Sequence, residues 1–348
     1  MLFGLFDKRE EGGPPFYIHT VAIPLIVAGI GILAAPDLRD LVLHLLDKAF
    51  QTQLDFRQSE ATGWILLGCG LCVYSIERLT WSFGGQPIFA LRHQSFLPLP
   101  PTLTRKDLPP RFAMKRVRSI DCDLFALMNA NPKKVEASLT VQAEWAQKAV
   151  GAITATPDAP VAYYGIVHIP FQFLAGSRFS TYRRIELFEL ERGSGHWRPL
   201  LKNKKAREPL SIQIDRDGFS HPFEDVAIRI SVSYTVQCNE ITKVLPPHFA
   251  DIHLRIENPR IDAIETMDDV LGICAAFRKE IDSDQIRGNR LHIFYSGPVS
   301  LGFSLGQRIS PTIHGEVRVY NYDAGASPKY NWNLLLTHAP TEEHVRHH

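Results

Sequence analysis

The amino-acid sequence predicts an N-terminal two-helix transmembrane region followed by an α/β domain made of two fused Rossmann-like halves. Three observations carry that expectation. Residues 12–36 contain no Asp, Glu, Lys or Arg, and a second uncharged run fills residues 61–76. Beyond residue 115, helix-periodic and strand-like stretches alternate. The segment Tyr163–Ser180 returns in degenerate form 130 residues later.

The first apolar stretch, FYIHTVAIPLIVAGIGILAA (Phe16–Ala35), is 20 residues long, about what a bilayer's hydrocarbon core requires. A signal peptide would have a shorter apolar region, and Pro36 spoils a cleavage site after Ala35. The second, Ala61–Ile76, has 16 uncharged residues between Glu60 and Glu77 and must extend toward Trp81 to span. Gly31 with Ala35, and Gly68 with Cys72, place small residues one turn apart, a spacing that lets helices approach closely, either within one chain or between chains. Between the spans, Leu38, Leu41, Val42, Leu45, Leu46, Ala49 and Phe50 mark an amphipathic helix. The inter-span segment holds three basic and five acidic residues, whereas Arg105–Arg118 holds six basic residues and one acid. By the positive-inside rule both termini lie in the cytoplasm, giving a two-pass protein with a short helical loop outside. Residues 1–82 are thus assigned to the membrane region and residues 83–114 to a proline-rich linker. An α/β domain follows over residues 115–340, in halves of about 115–225 and 226–340.

In the first half, Lys133–Val150 has helical periodicity and Val161–Ile169 reads as a strand. In the second, Val226–Val236 is a strand and Thr266–Asp269 a capping-box start for a helix to about Ile281. With an offset of 130, Phe173 falls on Phe303, Gly176 on Gly306, Arg178 on Arg308 and Ser180 on Ser310. Each copy follows a helix and a strand and precedes another strand and an aromatic residue. Two halves related by a pseudo-two-fold axis are expected.

In each half a strand runs into a turn and then a helix, the geometry that directs free amides at whatever lies beyond the strand's carboxyl edge. Pro298 suits the first helical turn, where a missing N–H costs nothing. Candidate ligand contacts in the first half are Gly165, His168, Pro170 and Arg178. Those in the second are Ser296, Gly297, Pro298 and Arg308, with Tyr320, Tyr322, Tyr330 and Trp332 offering flat faces for bases. Packing alone is the competing explanation for the glycines and tyrosines.

HIFYSGPVSLGFSLGQRIS with the strand EVRVYNYD resembles the C-terminal half of SAVED domains, and APVAYYGIVHIPFQFLAG with IELFELE and Trp197 resembles the N-terminal half. The resemblance covers roughly residues 115–338 and implies two CARF-like halves that sense a cyclic oligonucleotide in bacterial antiphage signalling (CBASS). With two membrane spans the chain is similar to transmembrane SAVED effectors. That similarity implies a cyclic di- or trinucleotide ligand, homo-oligomerisation on binding, contact with membrane lipid, and disruption of the inner membrane as abortive infection.

Composition and motifs limit the alternatives. Residues 83–348 carry a net charge of only +4, which suits a small anion and argues against duplex nucleic acid. There is no H-E-x-x-H, Walker A, G-x-S-x-G or G-x-G-x-x-G. Cys69-x-x-Cys72 lacks a second ligand pair, and His344–His348 reads as a disordered tail. No catalytic residue, metal site or cofactor is therefore assigned, leaving room for slow cleavage of the bound nucleotide. A membrane-tethered nucleotide- or dinucleotide-processing α/β enzyme and a membrane scaffold with vestigial pockets are the alternative readings.

Overall fold

The computed structural model describes residues 22–34, 60–84, 86–96, 101–112, 115–130, 135–182, 184–191, 193–202, 210–310, 312–336 and 345–348. The chain divides into two units, residues 1–87 with 114–116, and residues 88–113 with 117–348.

The first unit contains a helical pair, α1 (Ile23–Ala34) and α2 (Glu60–Gly84). The two pack closely through glycine. A Cβ on Gly29 would collide with the backbone of Leu67 and Gly63, and one on Gly70 with Ile26 and Ala22. Gly68 and Cys72, the small pair expected to permit close helix approach, do not serve this contact and are exposed. Val27, Ile30, Trp64, Ile65, Leu71 and Ile76 also point outward. The second expected span is helical and lies within α2, and part of the first lies in α1. Among the described residues, however, no helix is long and apolar enough to cross a membrane. The 12 residues of α1 rise about 18 Å, against a hydrocarbon core of about 30 Å. The uncharged run of α2 between Glu60 and Glu77 rises only about 24 Å. The transmembrane expectation therefore finds no support in these two helices. Phe16–Val21 and the amphipathic helix expected over Leu38–Phe50 lie outside the described residues.

The second unit holds two sheets. The first contains β1 (Ile88–Gln94), β2 (Val117–Asp123), β3 (Val161–Ile166), β4 (Ile185–Glu191) and β5 (His196–Pro199), in the order β2-β1-β3-β4-β5. β1 to β4 run parallel, and β5 closes the edge antiparallel. Helices α3 (Phe125–Ala130) and α4 (Val135–Ala155) link β2 to β3, and α5 (Ile169–Arg178) links β3 to β4. All seven residues of β1 are buried, as a parallel strand covered on both faces requires. The stretch read as a linker thus supplies a strand paired on both sides.

The second sheet contains β6 (Ile212–Asp217), β7 (Asp225–Ser231), β8 (Ala250–Ile256), β9 (Arg290–Ser296), β10 (Val317–Asn321), β11 (Trp332–Leu335) and β12 (Val345–His347). Its order is β12-β11-β10-β9-β7-β8-β6. Without the flanking β6 and β12, this is β8-β7-β9-β10-β11, which repeats the first sheet strand for strand. Helices α6 (Cys238–Ile241), α7 (Met267–Ile281) and α8 (Val299–Gly306) follow β7, β8 and β9. The capping box forms as expected: Asp269 N–H donates to Thr266 Oγ1 at 3.3 Å, and Thr266 N–H to Asp269 Oδ2 at 2.9 Å. β6 already pairs with β8, so the second sheet starts before residue 226. The tail residues Val345–His347 pair with β11 and are not free.

The halves meet where α5 packs on α8. A Cβ on Gly176 would collide with the Phe303 carbonyl, and one on Gly306 with the Phe173 carbonyl. These four residues are the two pairs related by the 130-residue offset, so the contact is reciprocal, as a pseudo-two-fold requires. Tyr163 of β3 stacks on Phe303 at 3.9 Å, and Tyr295 of β9 meets Phe173 edge-on at 5.4 Å. One apolar core therefore runs through both halves.

Candidate functional site

The carboxyl ends of β3 and β9 each run into a helix, at His168 and at Pro298. At the first corner the Ser95 hydroxyl accepts the His168 backbone N–H at 2.8 Å and contacts Nδ1 at 2.7 Å. The one hydroxyl thus holds both the backbone and the ring of His168, fixing the imidazole's orientation at the corner. Burial pulls the His168 pKa down to about 4, so the ring is neutral at pH 7; Asp323 opposes that shift. Phe96 lies edge-on to the ring at 5.2 Å, and Trp332 from the other half stands 6.3 Å away. Pro170 is buried in the first turn of α5.

At the second corner the Ser296 carbonyl accepts N–H groups from Val232 and Ser233, at 2.8 and 2.9 Å. The first corner repeats this, with Ser95 and Phe96 donating to the Ile166 carbonyl. Ser296 Oγ accepts the Tyr234 N–H at 3.0 Å, and Tyr295 O–H donates to the Pro298 carbonyl at 2.6 Å. A Cβ on Gly297 would strike that tyrosine, so only glycine fits the turn. The Ser300 amide, in the first turn of α8, donates to Glu189 Oε1 at 2.8 Å.

The structure therefore gathers His168, Pro170 and Trp332 at one corner, and Ser296, Gly297 and Pro298 at the other. Of the remaining expected residues it brings only Tyr322 near them. Gly165 serves strand pairing, since a Cβ there would collide with the His93 carbonyl. Arg178 closes α5 ten residues from His168, about 15 Å along the axis. Arg308 lies beyond the far end of α8, beside Cys274. Tyr320 and Tyr330 are core residues: Tyr320 Oη bonds His292 Nδ1 at 2.9 Å, and both rings pack on Phe294. Of the four expected aromatics, Tyr322 alone is well exposed, at 42%.

Two aromatics that sequence reasoning missed stand open at this edge, Phe96 (59% exposed) and Tyr234 (63% exposed). They follow the equivalent strands β1 and β7, in LRHQSF and IRISVSY. The signal was there, but Arg92 and Arg229 lie 137 residues apart, so the 130-residue alignment passes over them. Strands stand about 4.8 Å apart, so Tyr234 after β7 and Tyr322 after β10 flank the Ser296 corner on either side. Beneath Tyr234, Arg229 binds Asp251 through both carboxylate oxygens and donates to the Val236 carbonyl at 2.9 Å, while Ser231 Oγ holds His253 Nε2 and the Val236 N–H. That network fixes the loop bearing the tyrosine. A shallow depression lined by Asp282, Asn289 and His314 lies at the opposite, amino-terminal edge of β9.

No curated protein matches the chain. Among solved structures, the chain is similar to an Acinetobacter baumannii Cap4 SAVED/CARF-domain containing receptor with the cyclic trinucleotide 2'3'3'-cAAA. That similarity has a TM-score of 0.47 and 13% identity, over 87% of this chain and 66% of the other. The same receptor with 3'3'3'-cAAA gives a TM-score of 0.47 and 13% identity, over 91% and 78%. A family model described as SAVED, the "SMODS-associated and fused to various effectors sensor domain", matches residues 143–336. That match takes in both strand–helix corners and more than half of the sequence, and the chain belongs to the SAVED family of sensor domains.

Proposed function

We propose that the chain is a receptor for a cyclic di- or trinucleotide, bound across the carboxyl edges of its two sheets. In this reading, occupancy drives homo-oligomerisation, and the N-terminal unit then disrupts the bacterial inner membrane in antiphage defence. The observation that carries the reading is the family match, which spans both corners. The chemistry of those corners supports it. Phe96, Tyr234 and Tyr322 offer exposed ring faces on which bases stack, each worth about 1–3 kcal/mol. The His168 imidazole, neutral and held in orientation by Ser95, supplies an uncharged ring nitrogen for a ligand hydrogen bond. No side chain at either corner is assigned a catalytic step.

For the output, outward-facing Val27, Ile30, Trp64, Ile65, Leu71 and Ile76 give the helical pair an apolar exterior, which lipid or other copies of the chain would cover. The two-pass arrangement with cytoplasmic termini belongs to this proposal.

Thermal melts of the purified chain against a panel of cyclic di- and trinucleotides test the first step. At least one is expected to raise Tm, and Tyr234→Ala or His168→Ala to weaken its binding about tenfold or more. Turnover of the nucleotide would point instead to a nucleotide-processing enzyme. Val27→Glu with Ile65→Glu is expected to abolish ligand-dependent growth arrest while leaving nucleotide affinity within about twofold. Growth arrest that survived this change would remove the helical pair from the output.

A further inference from the structure

We propose that Glu189 is a resident anion that competes with ligand phosphate for the amino terminus of α8; the proposal rests on the receptor reading above. α8 begins at Pro298 without a side-chain cap of its own. Its Ser300 amide is held at 2.8 Å by Glu189, brought in by β4 of the other half. Ser300 Oγ, on the same first turn, is fully buried and has no hydrogen-bond partner among the described residues. The charge of Glu189 acts on Tyr163 and on Tyr295, one tyrosine from each sheet, which places the carboxylate between the halves.

The other corner is built differently. Pro170 occupies the position of Ser300 and has no N–H to offer. Val161 pairs with Ile185, and Leu291 with Val317, so four residues further along Glu189 corresponds to Asn321, which is neutral. One corner thus lacks the amide, and the other already holds an anion on it. A phosphate reaches the Ser300 amide only when the carboxylate leaves, because like charges do not share so small a site. Its departure removes the hydrogen bond that Glu189 makes from β4 to α8. Ligand entry at this corner therefore breaks a bond between the halves, and that cost raises the concentration at which the receptor responds.

Calorimetric titration of the full chain with inorganic pyrophosphate tests this in wild type, Glu189→Gln, Glu189→Ala and Glu191→Gln. Both Glu189 variants are expected to bind pyrophosphate about tenfold more tightly than wild type. Glu191→Gln removes an equal charge from the same strand and is expected to change affinity less than about twofold. Glu189→Gln keeps the side chain's shape and decides the matter if Glu189→Ala does not fold. Equal or weaker affinity in Glu189→Gln overturns the proposal, as does an equal gain in Glu191→Gln. A chain that gains pyrophosphate binding in Glu189→Gln yet binds no cyclic nucleotide loses the receptor reading and keeps the competition. One that binds a cyclic nucleotide equally with and without Glu189 keeps the receptor reading and loses the competition.

Discussion

Gly176 and Gly306 illustrate how a residue can be noticed in the sequence for one reason and used in the fold for another. Their matching positions signalled a repeat, and the structure puts each against the other half's helix, where a methyl group would strike a backbone carbonyl. Gly176→Ala or Gly306→Ala is expected to cost about 1–3 kcal/mol in urea unfolding. Gly68→Ala, with open space around it, should cost nothing measurable. The buried histidines give a second prediction. Burial holds the pKa of His93 at about 3, and those of His168 and His253 at about 4, against an ordinary 6.5. The folded chain therefore binds fewer protons than the unfolded one below pH 6.5. The stability these groups contribute is complete above that pH and is lost as pH falls toward 4. For a fully buried imidazole the slope approaches about 1.4 kcal/mol per pH unit. His93→Gln should flatten the urea midpoint between pH 6.5 and 4.5 relative to wild type; an unchanged profile would mean that His93 is not held neutral.

At the level of elements, the repeat was legible wherever its spacing was constant. β3–α5 and β9–α8 differ by a constant 130 residues, and the Thr266–Asp269 cap is legible because all four of its groups are local. β1 was not legible. Its seven residues sit between a helix and a proline-rich stretch, and its apolar character comes from being covered on both faces, which no period reveals. Phe96 was lost with it. The apolar runs of α1 and α2 are helical as expected, but the contact within this pair does not use the small residues spaced one turn apart on α2. Gly29 and Gly70, rather than Gly68, let the two helices touch, because a contact face depends on rotation about the axis, which sequence leaves open. Gly70→Leu should therefore separate α1 from α2. Growth arrest should be lost with nucleotide affinity within about twofold, whereas Gly68→Leu should preserve both.

On the scale of the whole molecule, two sheets of the same strand order share one core, and the helices that join them are the helices whose amino ends form the candidate site. Ligand chemistry at either corner thus bears directly on the contact between halves, the arrangement a sensor needs if occupancy is to be transmitted. What the sequence could not supply was the pairing across halves: Trp332 against His168, and Glu189 against Ser300, join residues more than 100 positions apart that no local pattern connects. The most direct test is calorimetric titration of the purified full chain with cyclic di- and trinucleotides, in wild type and in a His168→Ala, Tyr234→Ala double variant. The account predicts that wild type binds at least one of them at about micromolar Kd or tighter, and that the double variant binds it at least about a hundredfold more weakly. No binding by wild type across the panel, or equal binding by the variant, would contradict it.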